Sequence, residues 1–184
     1  MPRITTAAAF RSGRRLFVVA AVAAAGAPAQ LPTRFTVHGD GPDARLGAAV
    51  ARAGDVDADG VTDIVVGAPA DSGSSLFGAV RIVSGASGAV ILTIPAPAPD
   101  QDFGASVDGA GDLNADGYAD VVIGEPGFVS NGATQRGRVR AYSGVDGSVL
   151  HEWIGDHGYD RLGASVAGIG DVNGDGVPDL AATA

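Results

Sequence analysis

The chain has no cysteine, which excludes disulfides and thiolate metal sites as its means of stabilisation. Aromatic residues make up only 5%, with a single tryptophan, so a core built on large rings is excluded too. Lysine and arginine are scarce, 12 against 21 aspartate and glutamate, and no basic footprint for a nucleic acid is present. The apolar run at residues 16–25 is too short to cross a bilayer comfortably. What the chain has in quantity is glycine, 29 of 184 residues, within a composition that is 46% hydrophobic. That combination fits a turn-dense all-β domain with a real core better than a helical one.

The net charge of −9 is local. Ten aspartates fall in three short segments, and without them the rest of the chain would stand at +1. Clustered carboxylates repel one another unless a cation sits among them.

Residues 1–29 read as a signal peptide. Arg11, Arg14 and Arg15 supply a positive start, the apolar run follows, and Ala27-Pro28-Ala29 forms a small-residue cleavage pattern before Gln30. Arg14-Arg15-Leu16-Phe17 also resembles a twin-arginine export signal. The expected location is therefore outside the cell or on its surface.

Internal repetition is the strongest signal. LGAAVARAGDVDADGVTDIVVGAP begins at Leu46, FGASVDGAGDLNADGYADVVIGEP at Phe103 and LGASVAGIGDVNGDGVPDLAATA at Leu162, offsets of 57 and 59 residues. Each unit predicts four short strands: 48–53, 63–67, 79–83 and 89–94 in the first copy, and 105–110, 120–124, 138–142 and 148–154 in the second. Ile64-Val65-Val66 and Val121-Val122-Ile123 are apolar on both faces, as suits strands buried between neighbouring sheets. Asp146-Gly147 predicts a two-residue hairpin, and Ala86-Ser87-Gly88 a longer turn at the matching place. Four antiparallel strands at this period describe a propeller blade. The repeats divide as 46–102, 103–161 and an incomplete 162–184 within a domain at 30–184. Residues 34–40 align with 151–156 and are expected to form an outer strand ahead of the first blade, the kind of strand that latches a ring. With no last blade for that strand to join, the expectation is a partial propeller, the first part of a longer ring.

Each first hairpin carries D-x-[DN]-x-D-G-x-x-D. The copies are Asp55, Asp57, Asp59, Gly60, Val61 and Asp63; Asp112, Asn114, Asp116, Gly117, Tyr118 and Asp120; and Asp171, Asn173, Asp175, Gly176, Val177 and Asp179. Side chains at positions 1, 3, 5 and 9, with the carbonyl of position 7 (Val61, Tyr118, Val177), offer the hard oxygens that Ca²⁺ prefers. Magnesium suits the loops less, because it demands strict octahedral geometry. An EF-hand is excluded: its twelfth position needs glutamate, and here it holds Val66, Ile123 and Ala182 between strands.

The unit resembles the FG-GAP repeat of integrin α chains. Phe103-Gly104 matches its FG, with Leu-Gly at 46–47 and 162–163, and Gly67-Ala68-Pro69 matches its GAP. The second copy has Gly124-Glu125-Pro126 there, and the third is read as Ala182-Thr183-Ala184. The resemblance covers residues 34–184. It implies a β-propeller, usually of seven blades, with calcium in the hairpin loops; seven blades need roughly 400 residues.

No activated nucleophile is visible, so the chain is not read as an enzyme. His38, His151 and His157 are expected at surfaces or strand edges, and Trp153 in blade packing. The expected function is a calcium-binding secreted or cell-surface scaffold that engages an extracellular protein or glycan, as integrin similarity implies for adhesion. Its candidate recognition loops are residues 70–76 and 127–135. The alternatives are an accessory propeller of a larger exported enzyme, such as a hydrolase or lipase, and a truncated structural piece able to associate edge to edge through open blades.

Overall fold

A computed structural model of the chain describes residues 35–39, 45–69, 78–98, 102–130, 132 and 134–184, with the backbone of 15–18. The expected cleavage point after Ala29 and the 70–76 loop lie outside the described residues. Every regular element among the described residues is a strand: β1 (Arg15–Val18), β2 (Phe35–His38), β3 (Ala49–Gly54), β4 (Asp63–Ala68), β5 (Ala79–Val83), β6 (Val90–Pro95), β7 (Ser106–Gly111), β8 (Asp120–Glu125), β9 (Arg138–Tyr142), β10 (Val149–Ile154), β11 (Ser165–Gly170) and β12 (Asp179–Thr183). No helix among the described residues is long and apolar enough to cross a membrane.

The strands form two four-stranded antiparallel sheets, β3-β4-β5-β6 and β7-β8-β9-β10, and two half-sheets, β11-β12 and β1-β2. The first two are complete blades, and β11-β12 is the first half of a third. β4 and β8 lie inside their sheets, and Val65, Val66, Val121, Val122 and Ile123 are buried, with Ile64 partly so, toward both neighbouring layers, as their two-sided apolar runs require. Val65, Val80 and Ile82 of the first blade meet Val121, Ile123 and Tyr142 of the second, closed by Ile94 and Phe103. Burying one such side chain stabilises by about 1.5–3 kcal/mol. Val122 and Val139, on the opposite face of the second blade, pack with Val166, Leu162 and Leu180 of the half-blade.

The two repeat signatures meet across blades. Ala48, Ala105 and Ala164 donate their amides to the carbonyls of Arg45, Asp102 and Arg161, which closes a tight turn with Gly47, Gly104 and Gly163 at φ 85, 81 and 91°. Positive φ at the third residue of such a turn is the province of glycine. The carbonyl of Gly104 then lies against the Cα of Gly67, and that of Gly163 against Gly124, closely enough that any β-carbon would collide. The glycines of the second and third FG-type turns therefore seat on the glycine of the preceding blade's GAP. The amides of Gly47, Gly104 and Gly163 donate to Gly67, Gly124 and Thr183, so the third copy's GAP glycine is replaced by Thr183 and not by Ala182.

One further expectation changes. The outer hairpins of both blades have the same length: Ser84 pairs with Ala89, and Ser143 with Ser148, around four-residue loops. Asp146-Gly147 is therefore no two-residue turn. The Asp146 carboxylate instead accepts the Ser148 amide at 2.8 Å, and Ser87 Oγ does the same for Ala89 at 3.2 Å. Trp153 on β10 is 44% exposed and lines a groove with Leu180 and Ala182.

β2 does stand ahead of the first blade. Val37 packs with Leu46, Val66, Ala68 and Val83; Leu46, Val66 and Val83 are the first-blade counterparts of Phe103, Ile123 and Tyr142, which cluster with Ile94. Phe35 lies over Gly88, and Arg81 donates to the His38 carbonyl at 2.7 Å. β2 pairs antiparallel with β1, from Arg15 opposite His38 to Val18 opposite Phe35, so the part of the expected leader at 15–18 forms a strand.

Candidate metal centre

Each blade's first two strands are joined by one aspartate-rich loop, and the three loops fold alike. A bulge precedes each, between Arg52 and Gly54, Gly109 and Gly111, and Gly168 and Gly170. The first aspartate gathers the loop around itself. Asp55 accepts from the amides of Asp59 and Gly60 at 3.1 and 2.9 Å, and Asp112 from Asp116 and Gly117 at 3.1 and 2.9 Å. Asp171 accepts from Gly174, Asp175 and Gly176 at 2.7, 3.1 and 2.9 Å. These amides, that of Gly176 first, hold the Asp171 carboxyl below the usual carboxylate range. The glycine at position 6 bends the chain at φ 83, 89 and 91° (Gly60, Gly117, Gly176).

Positions 3 and 5 brace the same turn. Asp57, Asn114 and Asn173 accept the amide of position 5 at 3.2, 3.0 and 2.8 Å. Asp59, Asp116 and Asp175 accept the amide of position 7, that of Val61, Tyr118 and Val177, at 2.8, 2.9 and 2.9 Å. The side chains of Val61, Tyr118 and Val177 lie in solvent.

The ninth position behaves differently. Asp63 and Asp120 are fully buried. Asp63 accepts the Val56 amide at 2.7 Å with one oxygen and the Gly85 amide at 2.9 Å with the other. Asp120 accepts Leu113 at 2.8 Å and Gly144 at 3.1 Å in the same way. Each of these carboxylates ties its loop to the end of the third strand. Asp179 has only the loop side of this arrangement, accepting Val172 at 2.9 Å. Burial pushes the Asp120 carboxyl up, against its two amide donors.

Asp55, Asp57 and Asp63 bring carboxylate oxygens within 4.8 Å of one another. Asp57 is raised above the usual range, by desolvation first and the Asp63 charge second. Three carboxylates held this close, with no nitrogen or sulfur donor among them, fit a hard divalent cation. In the second and third loops asparagine takes the middle place and donates its amide to Asp116 and Asp175 at 2.9 and 3.0 Å. These loops keep the oxygen set with one carboxylate fewer.

Sequence reasoning missed a buried ion pair on the second blade. Glu125 and Arg138 are opposite one another in the ladder, at the register positions of Ala68 and Ala79 in the first blade. Two guanidinium nitrogens reach one Glu125 oxygen at 2.8 and 2.6 Å, and the guanidinium stacks 3.7 Å over the Phe128 ring. The other oxygen, Oε1, has no partner, and burial raises the carboxyl above its ordinary value. The paired departure of both residues from alanine was the available signal.

Four-stranded blades stacked through glycine contacts define a repeat protein of the β-propeller class. The FG-GAP repeat family model matches residues 46–91 and 103–142. The chain is similar to integrin alpha-2 of Bos taurus, 38% identical over 96 residues, which is 47% of this chain and 8% of that protein. It is similar to integrin alpha-X of Mus musculus, 38% identical over 104 residues, 51% of this chain and 9% of the relative. Integrin alpha-IIb of Homo sapiens is 36% identical over 132 residues, 68% of this chain and 12% of its own length. The chain thus spans about a tenth of the curated relatives it matches. It belongs to the FG-GAP repeat proteins of the integrin α type.

Proposed function

We propose that the chain is a calcium-binding, exported or cell-surface β-propeller module, a non-catalytic scaffold for an extracellular protein or glycan ligand. The observation that carries this reading is one oxygen-lined loop built three times, with Asp55, Asp57 and Asp63 converging in the first. Asp55, Asp57, Asp59 and Asp63 would hold the ion there. Asp112, Asn114, Asp116 and Asp120, and then Asp171, Asn173, Asp175 and Asp179, would do so in the other two, each loop with the carbonyl of Val61, Tyr118 or Val177. When bound, the cation cancels carboxylate repulsion and fixes the hairpin. The protein groups keep the loop in the required shape through the amide bonds to positions 1, 3 and 5. Extracellular calcium is abundant enough for sites binding at ~10⁻⁴–10⁻³ M, in keeping with export through residues 1–29.

Of the 127–135 ligand-facing candidate, the structure describes residues 127–130, 132, 134 and 135. The loop is braced by Arg136, which donates to the carbonyls of Gly155 and Asp156 at 2.6 and 3.3 Å, and by Tyr159 and Arg161 amides bonded to Thr134 and Gln135. Loops held this way present a fixed surface at low entropic cost.

The test is a thermal melt in millimolar calcium, in magnesium and in excess chelator. Calcium should raise the midpoint, by about 2.7 kcal/mol of stability at one hundred times Kd. The rise should vanish when Asp55, Asp112 and Asp171 are all changed to alanine. Identical cooperative melts in calcium and chelator would overturn the metal assignment.

A further inference from the structure

The first two aspartate-rich loops touch, and the contact runs through backbone that both loops use. Val56, at position 2 of the first loop, is 2% exposed and packs in the core between the two blades. Its amide donates to Asp63 Oδ2 at 2.7 Å. The carbonyl of the same peptide, that of Asp55, accepts the Ala119 amide of the second loop at 3.1 Å. Ala119 stands at position 8, so its N–H shares a peptide with the carbonyl of Tyr118, the position-7 oxygen of the second loop. A trans peptide is one rigid plane whose N–H and C=O point opposite ways, and no described peptide bond is cis. Two peptides and two hydrogen bonds therefore connect Asp63, in the oxygen set of the first loop, to the Tyr118 carbonyl in that of the second.

The junction between the second and third loops has the same shape and lacks one bond. Gly54 seats against Ala119, where a β-carbon would lie 2.5 Å from the alanine side chain. Its counterpart Gly111 seats against Pro178, where a β-carbon would lie 2.7 Å from Cγ of the ring. Asp120 Oδ2 again accepts the amide of position 2, that of Leu113, at 2.8 Å. Position 8 of the third loop, however, is Pro178, and proline has no N–H to give to the Asp112 carbonyl. The relay that joins the first two loops stops there for want of one hydrogen atom.

We infer that the Asp55 carbonyl positions the Tyr118–Ala119 peptide, so that the first and second loops bind calcium cooperatively while the third binds independently of the second. The inference rests on the calcium reading and adds to it how the sites communicate. Filling the first loop relieves the repulsion among Asp55, Asp57 and Asp63 and so fixes the Asp55–Val56 peptide. The Tyr118 carbonyl is then held in place before its own loop fills. A ligand group already in place costs less to recruit. The first loop has one carboxylate more than the second, Asp57 in place of Asn114, and fills first. The coupling is reciprocal, as any coupling of two binding equilibria must be.

The experiment is a calcium titration of the full chain followed by the backbone amide resonances of Gly60, Gly117 and Gly176. These amides bond to Asp55, Asp112 and Asp171, so each reports its own loop. Asp57→Ala with Asp59→Ala empties the first loop and keeps Asp55 and Asp63. It removes as much charge as a bound divalent ion would cancel, so the second loop meets the same net field in either case. The expected result is a second-loop Kd about fivefold or more weaker, with the third loop unchanged. Ala119→Pro, which gives the second loop the residue that the third carries, should make the second loop indifferent to the first. Pro178→Ala supplies the missing N–H with the second loop's own residue and needs no new proline to be accommodated. Emptying the second loop by Asn114→Ala with Asp116→Ala should then weaken the third, which it does not do in the parent. Glycine resonances that ignore calcium in all three loops overturn the metal reading and this inference with it. Resonances that titrate, with a second-loop Kd unmoved by emptying the first, overturn the inference alone. So does a loss of affinity that persists with Ala119→Pro, or a third loop that stays independent after Pro178→Ala.

Discussion

The loops of the complete blades and the loop of the half-blade have the same nine-residue pattern, yet their ninth aspartates live in different surroundings. Asp63 and Asp120 are buried struts between the loop and the third strand; Asp179, with no third strand beside it, is partly exposed. The third strand thus turns a surface carboxylate into a structural one. In the second blade it also brings Arg138 to Glu125, where the first blade has Ala79 opposite Ala68. A repeat unit is therefore a backbone pattern whose energetics depend on how many of its strands are present.

The largest effect should come from that ion pair. Arg138→Ala leaves the Glu125 carboxyl buried and uncompensated, at a cost of about 3–5 kcal/mol in chemical denaturation. Glu125→Ala with Arg138→Ala, which gives the second blade the first blade's alanine pair, should recover most of the loss. A raised folded-state carboxyl favours folding below the unfolded pKa and loses that contribution as pH rises through the folded one. The Arg138→Ala chain should therefore be least stable at neutral pH and regain stability on mild acidification, and the double variant should lose this dependence.

Next in size is the contrast of the ninth aspartates. Asp120→Ala strands the amides of Leu113 and Gly144 and should cost about 2–5 kcal/mol. Asp179→Ala should cost about 1 kcal/mol or less, because solvent reaches the groups it leaves. Equal melts for the two variants would erase the distinction between complete and half-blade.

Asp57→Asn gives the first loop the asparagine of the other two. In chelator it should raise the melting temperature slightly by relieving repulsion from Asp63, and in calcium titration it should weaken the first site. The smallest change is at position 4 of the loops. Ala58 and Ala115 sit at φ 58 and 59°, where the third loop has Gly174 at 77°. Ala58→Gly and Ala115→Gly should each stabilise by about 0.5–1 kcal/mol, read as a small rise in melting temperature.

Much of the fold was legible in the chain. The four strands of each unit fall within a residue of where their β-branched runs and bounding glycines place them. The outer hairpins were misjudged because an Asp-Gly pair signals a tight turn only when the flanking residues pair directly, and here Ser143 and Ser148 pair one step further out. The Glu125–Arg138 pair stayed hidden because the two residues are 13 apart, with a loop between them whose length sets the register.

By itself the sequence determined the blade, the turn and the oxygen-lined loop. The turn and the loop rest on residues within about nine positions of one another, and the blade on a strand pattern that recurs at 57 and 59 residues. Only the tertiary structure decided which carboxylates stay within the loop and which serve as struts, because the amides that claim Asp63 and Asp120 lie 22 and 24 residues further along.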